Sequence, residues 1–365
     1  MEQNDLEELD FLIVGQGLAG TMMAHFLLQE NKRIKILDLP MRGRTSTIAA
    51  GVINPVTGRR IAKSWHFEVL YAFAKKTYQE LENILGITLW NDRNILRALH
   101  NTFEENEWYR RGAFPEYEAY FEDSADLENI SSKIKPAHAW GEMRHCAQVA
   151  LPELVRSYRR WLQRQGLLLE EKFDYQAIVF QDGRVQYKQF SALKIIFCEG
   201  ARAIANPYFN FLPFVPTKGE LLILKIPGAD FEKIVKHHLF IVPVEQWNGA
   251  TIPHLFWAGS TSRFEYADEL PSEEQKRNLL DKLEKTLSVP FEVFEHLAGI
   301  RPTVFDKRPF SGVHPSHGQL AIFNGLGTKG ASLAPFFAKQ MADFLLGNGE
   351  LDKEVDIKRF LKNDG

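Results

Sequence analysis

Cysteine is scarce: Cys146 and Cys198 are the only two in 365 residues, too few for a disulfide framework and pointing to a reducing compartment. No apolar run approaches the roughly 20 residues that a bilayer span requires. The opening stretch MEQNDLEELD is acidic and polar, whereas a secretory leader is basic and then apolar. These absences predict a cytoplasmic protein without a membrane partner. An excess of basic charge is also missing. Lys and Arg number 44 against 47 Asp and Glu, a formal net charge of −3, so no basic field covers the whole molecule as it does on a dedicated nucleic-acid binder. What is present, 45% hydrophobic and 25% charged residues, is ordinary for a folded globular chain, and the length suits two domains.

The apolar run DFLIV at 10–14 ends at glycine, as a buried parallel strand does. From Leu18 the residues Met22, Met23, Phe26 and Leu27 recur at helical spacing, and IKILD at 34–38 reads as a second strand. The chain thus opens on a βαβ unit. Long helices are predicted over 67–86 and 151–166, each stopped by a glycine. Between them lies an irregular aromatic segment, 87–145, with no assignable role. AIVFQDGRVQY reads as a hairpin turning at Asp182-Gly183. The runs ELLILKI, LFIVPV and HLFWAGS follow without the helices that a parallel sheet needs, and they predict an antiparallel sheet. Strand, glycine-rich turn and helix return in QLAIFNGLGTKGASLAPFFAKQMADFLLG. The expected fold is α/β: a Rossmann-like domain assembled from 1–75, 146–215 and 296–365, and an α+β substrate domain from 76–145 and 216–295.

Gly15-x-Gly17-x-x-Gly20 lies between the first strand and the first helix, the context that a dinucleotide turn requires. The first glycine permits the tight turn, the second lets the backbone approach a pyrophosphate, and the third lets helix and strand pack closely. The N–H groups of the helix start, Leu18 and Ala19 included, then face the phosphates. Asp38, followed by Leu39, stands about 20 residues on, where a carboxylate accepts hydrogen bonds from ribose. The motif does not separate NAD from FAD. Thr45 and Ser46 supply hydroxyls for phosphate in a loop that runs into Ala50, Gly51 and Val52. Arg301 stands beside a proline-fixed turn in GIRP.

Four segments resemble the D-amino-acid oxidase superfamily of FAD-dependent oxidoreductases: Gly15 to Asp38, Thr45 through Gly51 into VINP, IIFCEGARA at 195–203, and GIRP…D..PFSG…NGLGTKGASLAP at 299–335. The last is the most specific, because Arg-Pro, Asp306, Pro309, Gly312 and the turn into Ala334-Pro335 fall in family order. The resemblance implies FAD, with Gly200 at a second glycine-bearing strand end and with Gly327, Thr328, Lys329, Gly330, Ala331 and Ser332 at the flavin's pyrimidine end. It implies that Arg301 pairs with a substrate carboxylate. It also implies that hydride passes from the α-carbon of a neutral amine or amino acid to flavin N5, and that the resulting imine hydrolyses. Lys329 matches a lysine near the ring in sarcosine-oxidase-like relatives. Thr328 stands where glycine oxidase has an arginine, which makes glycine a poorer substrate. No cysteine follows Cys198, so FAD is expected to be non-covalent. The second glycine strand ends Cys198-Glu199-Gly200 rather than Ala-Thr-Gly.

Two rivals stay open. One is FAD-dependent processing of a carboxymethylaminomethyl-uridine in tRNA, to which NPVTGRR and GTKG are similar; the other is an FAD-binding protein without turnover. Arg156, Arg159, Arg160 and Arg164 read as a solvated helix face. Adjacent His237 and His238 point to opposite faces if they lie on a strand, and no metal site is expected. Cys198 reads as an inert core thiol.

Overall fold

The computed structural model describes residues 6–41 and 43–361. Its Cα atoms group into two compact units, the first comprising Met1–Thr47, Leu154–Thr217 and Ile300–Gly365, the second Ile48–Glu153 and Lys218–Gly299. Residues 48–75 and 146–153 therefore belong to the second unit, whereas the sequence pattern placed them in the first. The reason is a small sheet. Val52–Ile53 pairs with Ala147–Val149, which pairs in turn with Trp90–Asp92, and strands of two or three residues are too short to display an alternation.

In the first unit Glu7–Val14 is the central strand, with Phe11 to Val14 all buried. Ile34–Leu37 and Phe190–Phe197 flank it in parallel, and Leu168–Leu169 and Leu320–Asn324 extend the parallel set. Both faces are covered, which explains the continuous apolar runs. Helix Leu18–Gln29 joins the first two strands and packs against helix Gly330–Leu345. The hairpin Ile178–Gln181 and Arg184–Tyr187 turns where expected. Asp182 and Gly183 both take positive φ, 50° and 74°, as a tight two-residue hairpin demands. Val14, Ile195, Phe197, Phe209, Phe310 and Ile322 share one core, and burial of each such side chain contributes about 1.5–3 kcal/mol.

The second unit carries a seven-stranded sheet in the order Glu292–Arg301, Thr217–Lys225, Ala250–Gly259, Phe240–Trp247, Ile234–Lys236, Ile95–Leu99, Ala139–Met143. Thr217–Lys225, Ala250–Gly259 and Phe240–Trp247 pair antiparallel, as predicted. Ile234–Lys236 runs parallel to Ile95–Leu99. The unread segment 87–145 thus supplies strands to two sheets. Helix Phe67–Leu85 stops at Gly86 with φ 67°, and helices Thr102–Gly112 and Glu273–Glu284 start at Asn101 and Ser272, whose side chains accept first-turn N–H groups. No helix among the described residues is long and apolar enough to cross a membrane.

Candidate functional site

The first glycines are sterically obligatory. A Cβ on Gly15, whose φ is +99°, would lie 2.5 Å from the Cys198 carbonyl oxygen, and one on Gly20 would lie 1.9 Å from that of Gly15. Gly17 differs: its Cβ would meet only the Ser46 hydroxyl, at 3.5 Å, so its backbone stays approachable. Gly17 precedes Leu18–Gln29 and offers no side-chain cap, and the first turn, Ala19 included, holds no acid. The helix's positive end is therefore open to an anion. The Ser46 hydroxyl accepts from Leu18 N–H at 3.1 Å, which puts the 3₁₀ turn Thr45–Thr47 at the helix mouth.

Asp38 is buried and its carboxylate is crowded. Gln16 N–H donates to Oδ1 at 2.9 Å, Arg44 Nη2 to both oxygens at 2.8 and 2.9 Å, and Arg159 Nη1 to Oδ2. Arg44 also reaches the Leu39 carbonyl. These bonds fill the carboxylate's four acceptor positions, so a ribose hydroxyl reaches Asp38 only when one guanidinium gives way. Arg159 corrects the expectation of a solvated arginine face: it bridges Asp38 and Glu170, and Arg156 is partly buried. Arg159 lies one turn after buried Val155, a spacing that could have signalled its inward direction.

Distant segments converge on the same end of the sheet. Thr45 Oγ1 donates to the Ile300 carbonyl at 2.6 Å, and Arg44 bridges to Ile300, so the hydroxyl loop lies against the residue preceding Arg301. Gly327, with φ 53°, donates its N–H to the Pro302 carbonyl at 3.2 Å. A Cβ on Gly330 would lie 3.2 Å from a Leu18 methyl, which places the two helix starts side by side. Helix Gly330–Leu345 likewise begins without an acid or a side-chain cap, with Lys329 at its N-cap. Ala331 is buried, and Ser332 Oγ bonds the Lys329 carbonyl at 3.1 Å. Thr328 is exposed. Gly200, φ 60°, accepts from the buried Asn324 amide at 2.9 Å, a link between strand ends that the sequence reading missed. Arg301 is half-buried, and loss of solvent pushes its guanidinium below the ordinary arginine value.

Cys198 is buried and its thiol is pushed up by burial, as expected of an inert core group. Its neighbour Glu199 is held by the Tyr175 hydroxyl and the Asn206 amide, and burial raises its carboxyl.

Ala50, Gly51 and Val52 lie in the second unit. A Cβ on Gly51, φ +71°, would fall 1.8 Å from the Val149 carbonyl oxygen, so strand pairing alone requires that glycine. Ala49 and Ala50 line a cavity of about 550 Å³ in this unit, with Asn91, Gln148, Trp247 and Trp257. The Trp257 indole N–H is taken by the Ile48 carbonyl at 2.8 Å. His237 and His238 are not on a strand, so the condition under which adjacency would point them to opposite faces is not met. They follow Ile234–Lys236 in a turn, where adjacency does not separate side chains, and His100 stacks on His238. Burial pushes the His237 ring down to about 4.

The site's donor set suits a dinucleotide: two uncapped helix starts without acids, a glycine open to close approach, and hydroxyls at the mouth. Residues 10–344 match the family described as DAO, FAD dependent oxidoreductase. The chain is 24% identical over 355 residues to glycine oxidase of Bacillus licheniformis, covering 93% of each protein. It is 20% identical to the tRNA 5-methylaminomethyl-2-thiouridine biosynthesis bifunctional protein of Hahella chejuensis, covering 98% of this chain and 60% of that protein. Among solved structures, glycine oxidase from Geobacillus kaustophilus superposes with a TM-score of 0.79 at 23% identity, over 98% of this chain and all of that one. The glycine turn, the acid after the second strand and the Arg-Pro segment all fall within a match spanning nearly the whole chain, and the protein belongs to the DAO family of FAD-dependent oxidoreductases.

Proposed function

We propose that this enzyme oxidises the C–N bond of an amine that carries a carboxylate, an amino acid or an N-alkyl amino acid, with FAD held non-covalently. The observation that carries the reading is the position of Arg301, a half-buried cation that immediately precedes Pro302, whose carbonyl holds the Gly327 turn. A guanidinium keeps its charge even when desolvated and grips a carboxylate through two parallel bonds, fixing the α-carbon in place. The bond from Thr45 to the Ile300 carbonyl pins the main chain just before it. When bound, FAD would supply the acceptor for the hydride that the substrate's α-carbon loses as its nitrogen gives up a proton, and water would hydrolyse the imine so formed. The start of helix Gly330–Leu345, with Lys329 at its N-cap, favours negative charge nearby. Solved structures of similar fold support the substrate class: one is an iminodiacetate oxidase from Chelativorans, with a TM-score of 0.74 at 21% identity, and iminodiacetate, like glycine, bears a carboxylate beside its C–N bond.

The tRNA reading draws support from the likeness to the bifunctional tRNA protein. Against it, Arg159 is spent on Asp38 and Glu170, and the chain's formal net charge is −3, which gives no overall attraction to a polyanion. Anaerobic titration of the holoenzyme with amino acids and N-alkyl glycines tests the proposal. Bleaching of the flavin band by carboxylate-bearing amines is expected, and their decarboxy analogues should fail. Bleaching only by carboxymethylaminomethyl-tRNA would move the activity to RNA, and bleaching by none would leave an FAD-binding protein without turnover.

A further inference from the structure

Strands Ile95–Leu99 and Ile234–Lys236 are parallel neighbours in the second unit, with Ile95 opposite Ile234 and Arg97 opposite Lys236. Residues that follow the two strands therefore leave the sheet at the same edge. His100 follows one strand, and His237 and His238 follow the other. The three rings gather there, with centroids 4.9 Å apart for His100 and His237, 4.7 Å for His100 and His238, and 4.5 Å for His237 and His238. One nitrogen from each lies within 4.8 Å of the other two.

A cluster of imidazoles is not in itself a site, and His237 supplies the second observation. The residue is only 5% exposed, and neither ring nitrogen makes a hydrogen bond of ordinary geometry. A neutral imidazole keeps one nitrogen protonated and leaves the other as an acceptor for a ligand. A buried polar nitrogen without a partner is unfavourable, and a shared ion would give this one a partner. We propose that His100, His237 and His238 bind a borderline transition-metal dication such as Zn²⁺, with an open position on the exposed side where water completes the shell. Three neutral nitrogen donors suit zinc, copper or nickel and not calcium or magnesium. A tetrahedron with ~2.1 Å bonds has edges of ~3.4 Å, shorter than the widest spacing here. His100 and His238 are exposed, and rotation of their rings closes the gap. The ion would tie together two strand ends of the second unit.

The charges around the cluster make the test specific. Lys236, Lys282 and Lys285 act on His238, Arg97 acts on Lys236, and Glu104 is the acid that acts on it. A dication on the three imidazoles is therefore repelled by its surroundings, and a non-coordinating salt should strengthen binding by screening that repulsion. Adventitious binding to surface carboxylates should weaken under the same salt. The experiment is competition for Zn²⁺ between holoenzyme and a chromophoric chelator, at low and high salt. The expected result is one Zn²⁺ per chain, held more tightly at high salt, with a rise in melting temperature on zinc addition. Cu²⁺ bound in its place should show nitrogen hyperfine structure in its EPR spectrum. The double variant His100→Ala/His238→Ala, which changes only exposed rings, should lose binding by at least the ~10–100-fold that removing even an outer-shell partner costs, while retaining flavin. Zinc binding that persists in the double variant, or that weakens with salt, or no stoichiometric binding at all, would overturn the proposal.

Discussion

The two units handle polar groups in opposite ways. Among the described residues, the buried acidic, basic or imidazole side chains of the first unit are His25 and Asp38, whereas the second buries Arg97, Glu104, Glu142, Glu153, Lys218, Glu220 and His237. In the first unit the polar work at the sheet's end falls to main-chain amides at two uncapped helix starts. In the second it falls to side chains inside the fold: Glu220 accepts from Ser272 N–H and Oγ at 2.8 and 2.9 Å and lies 3.4 Å from Lys218 and 3.0 Å from His296. The difference teaches that a unit whose sheet end is lined by helix starts without acids keeps its own charges few and leaves backbone geometry to receive an anion. A unit with buried charges must satisfy them internally, because an unpaired one is costly.

The largest effect is expected where the first unit departs from its own habit, at half-buried Arg301. Arg301→Leu should keep FAD yet lower kcat/KM for carboxylate substrates by roughly two to four orders of magnitude, since an unpaired buried carboxylate costs ~3–5 kcal/mol. Steady-state kinetics with flavin content as control decides this, and unchanged kcat/KM would remove Arg301 from the site. On the other side of the comparison, Glu220→Gln leaves Lys218 buried beside a neutral amide. Urea unfolding should then show a loss of about 3 kcal/mol with flavin content preserved in the folded protein.

A third test separates fold from ligand within one turn. Gly20→Ala forces a carbon against the Gly15 carbonyl and should destabilise by the upper end of the ~1–3 kcal/mol typical of overpacking. Gly17→Ala meets only the Ser46 hydroxyl and should leave urea stability of the apoprotein near that of the parent while weakening FAD retention. Equal losses of stability in both variants would mean that the turn serves folding alone. The smallest effect concerns Lys329. Lys329→Met keeps the stem and removes the charge, so the flavin's midpoint potential should fall, by about 30 mV if the equilibrium shifts tenfold in the two-electron couple. A potential equal to the parent's would leave the helix start as the turn's electrostatic contribution.

Legibility in the sequence followed the range of the interactions. The glycine turn, the hairpin at Asp182-Gly183 and the helix stop at Gly86 are written in a few adjacent residues, because φ preference and local hydrogen bonding decide them. Arg159 was misread because its partner Asp38 lies 121 positions away. The segment 87–145 was unreadable because its short strands pair with 147–149 and 234–236, neither of which its own pattern specifies. His237 and His238 were judged on the condition of a strand, and the turn that holds them does not meet it.

The sequence by itself determined a dinucleotide-type turn, since strand, glycine turn and helix start are local devices that force the backbone to expose its N–H groups, and it carried the family only through the resemblance of four separated segments. Tertiary structure alone decided which distant groups meet: Thr45 with the Ile300 carbonyl 255 positions away, Asp38 with two arginines, and three histidines at one sheet edge. The physical reason is that burial of apolar strands fixes their order and register. Whatever side chains follow those strands are carried into contact by a choice the local sequence does not record.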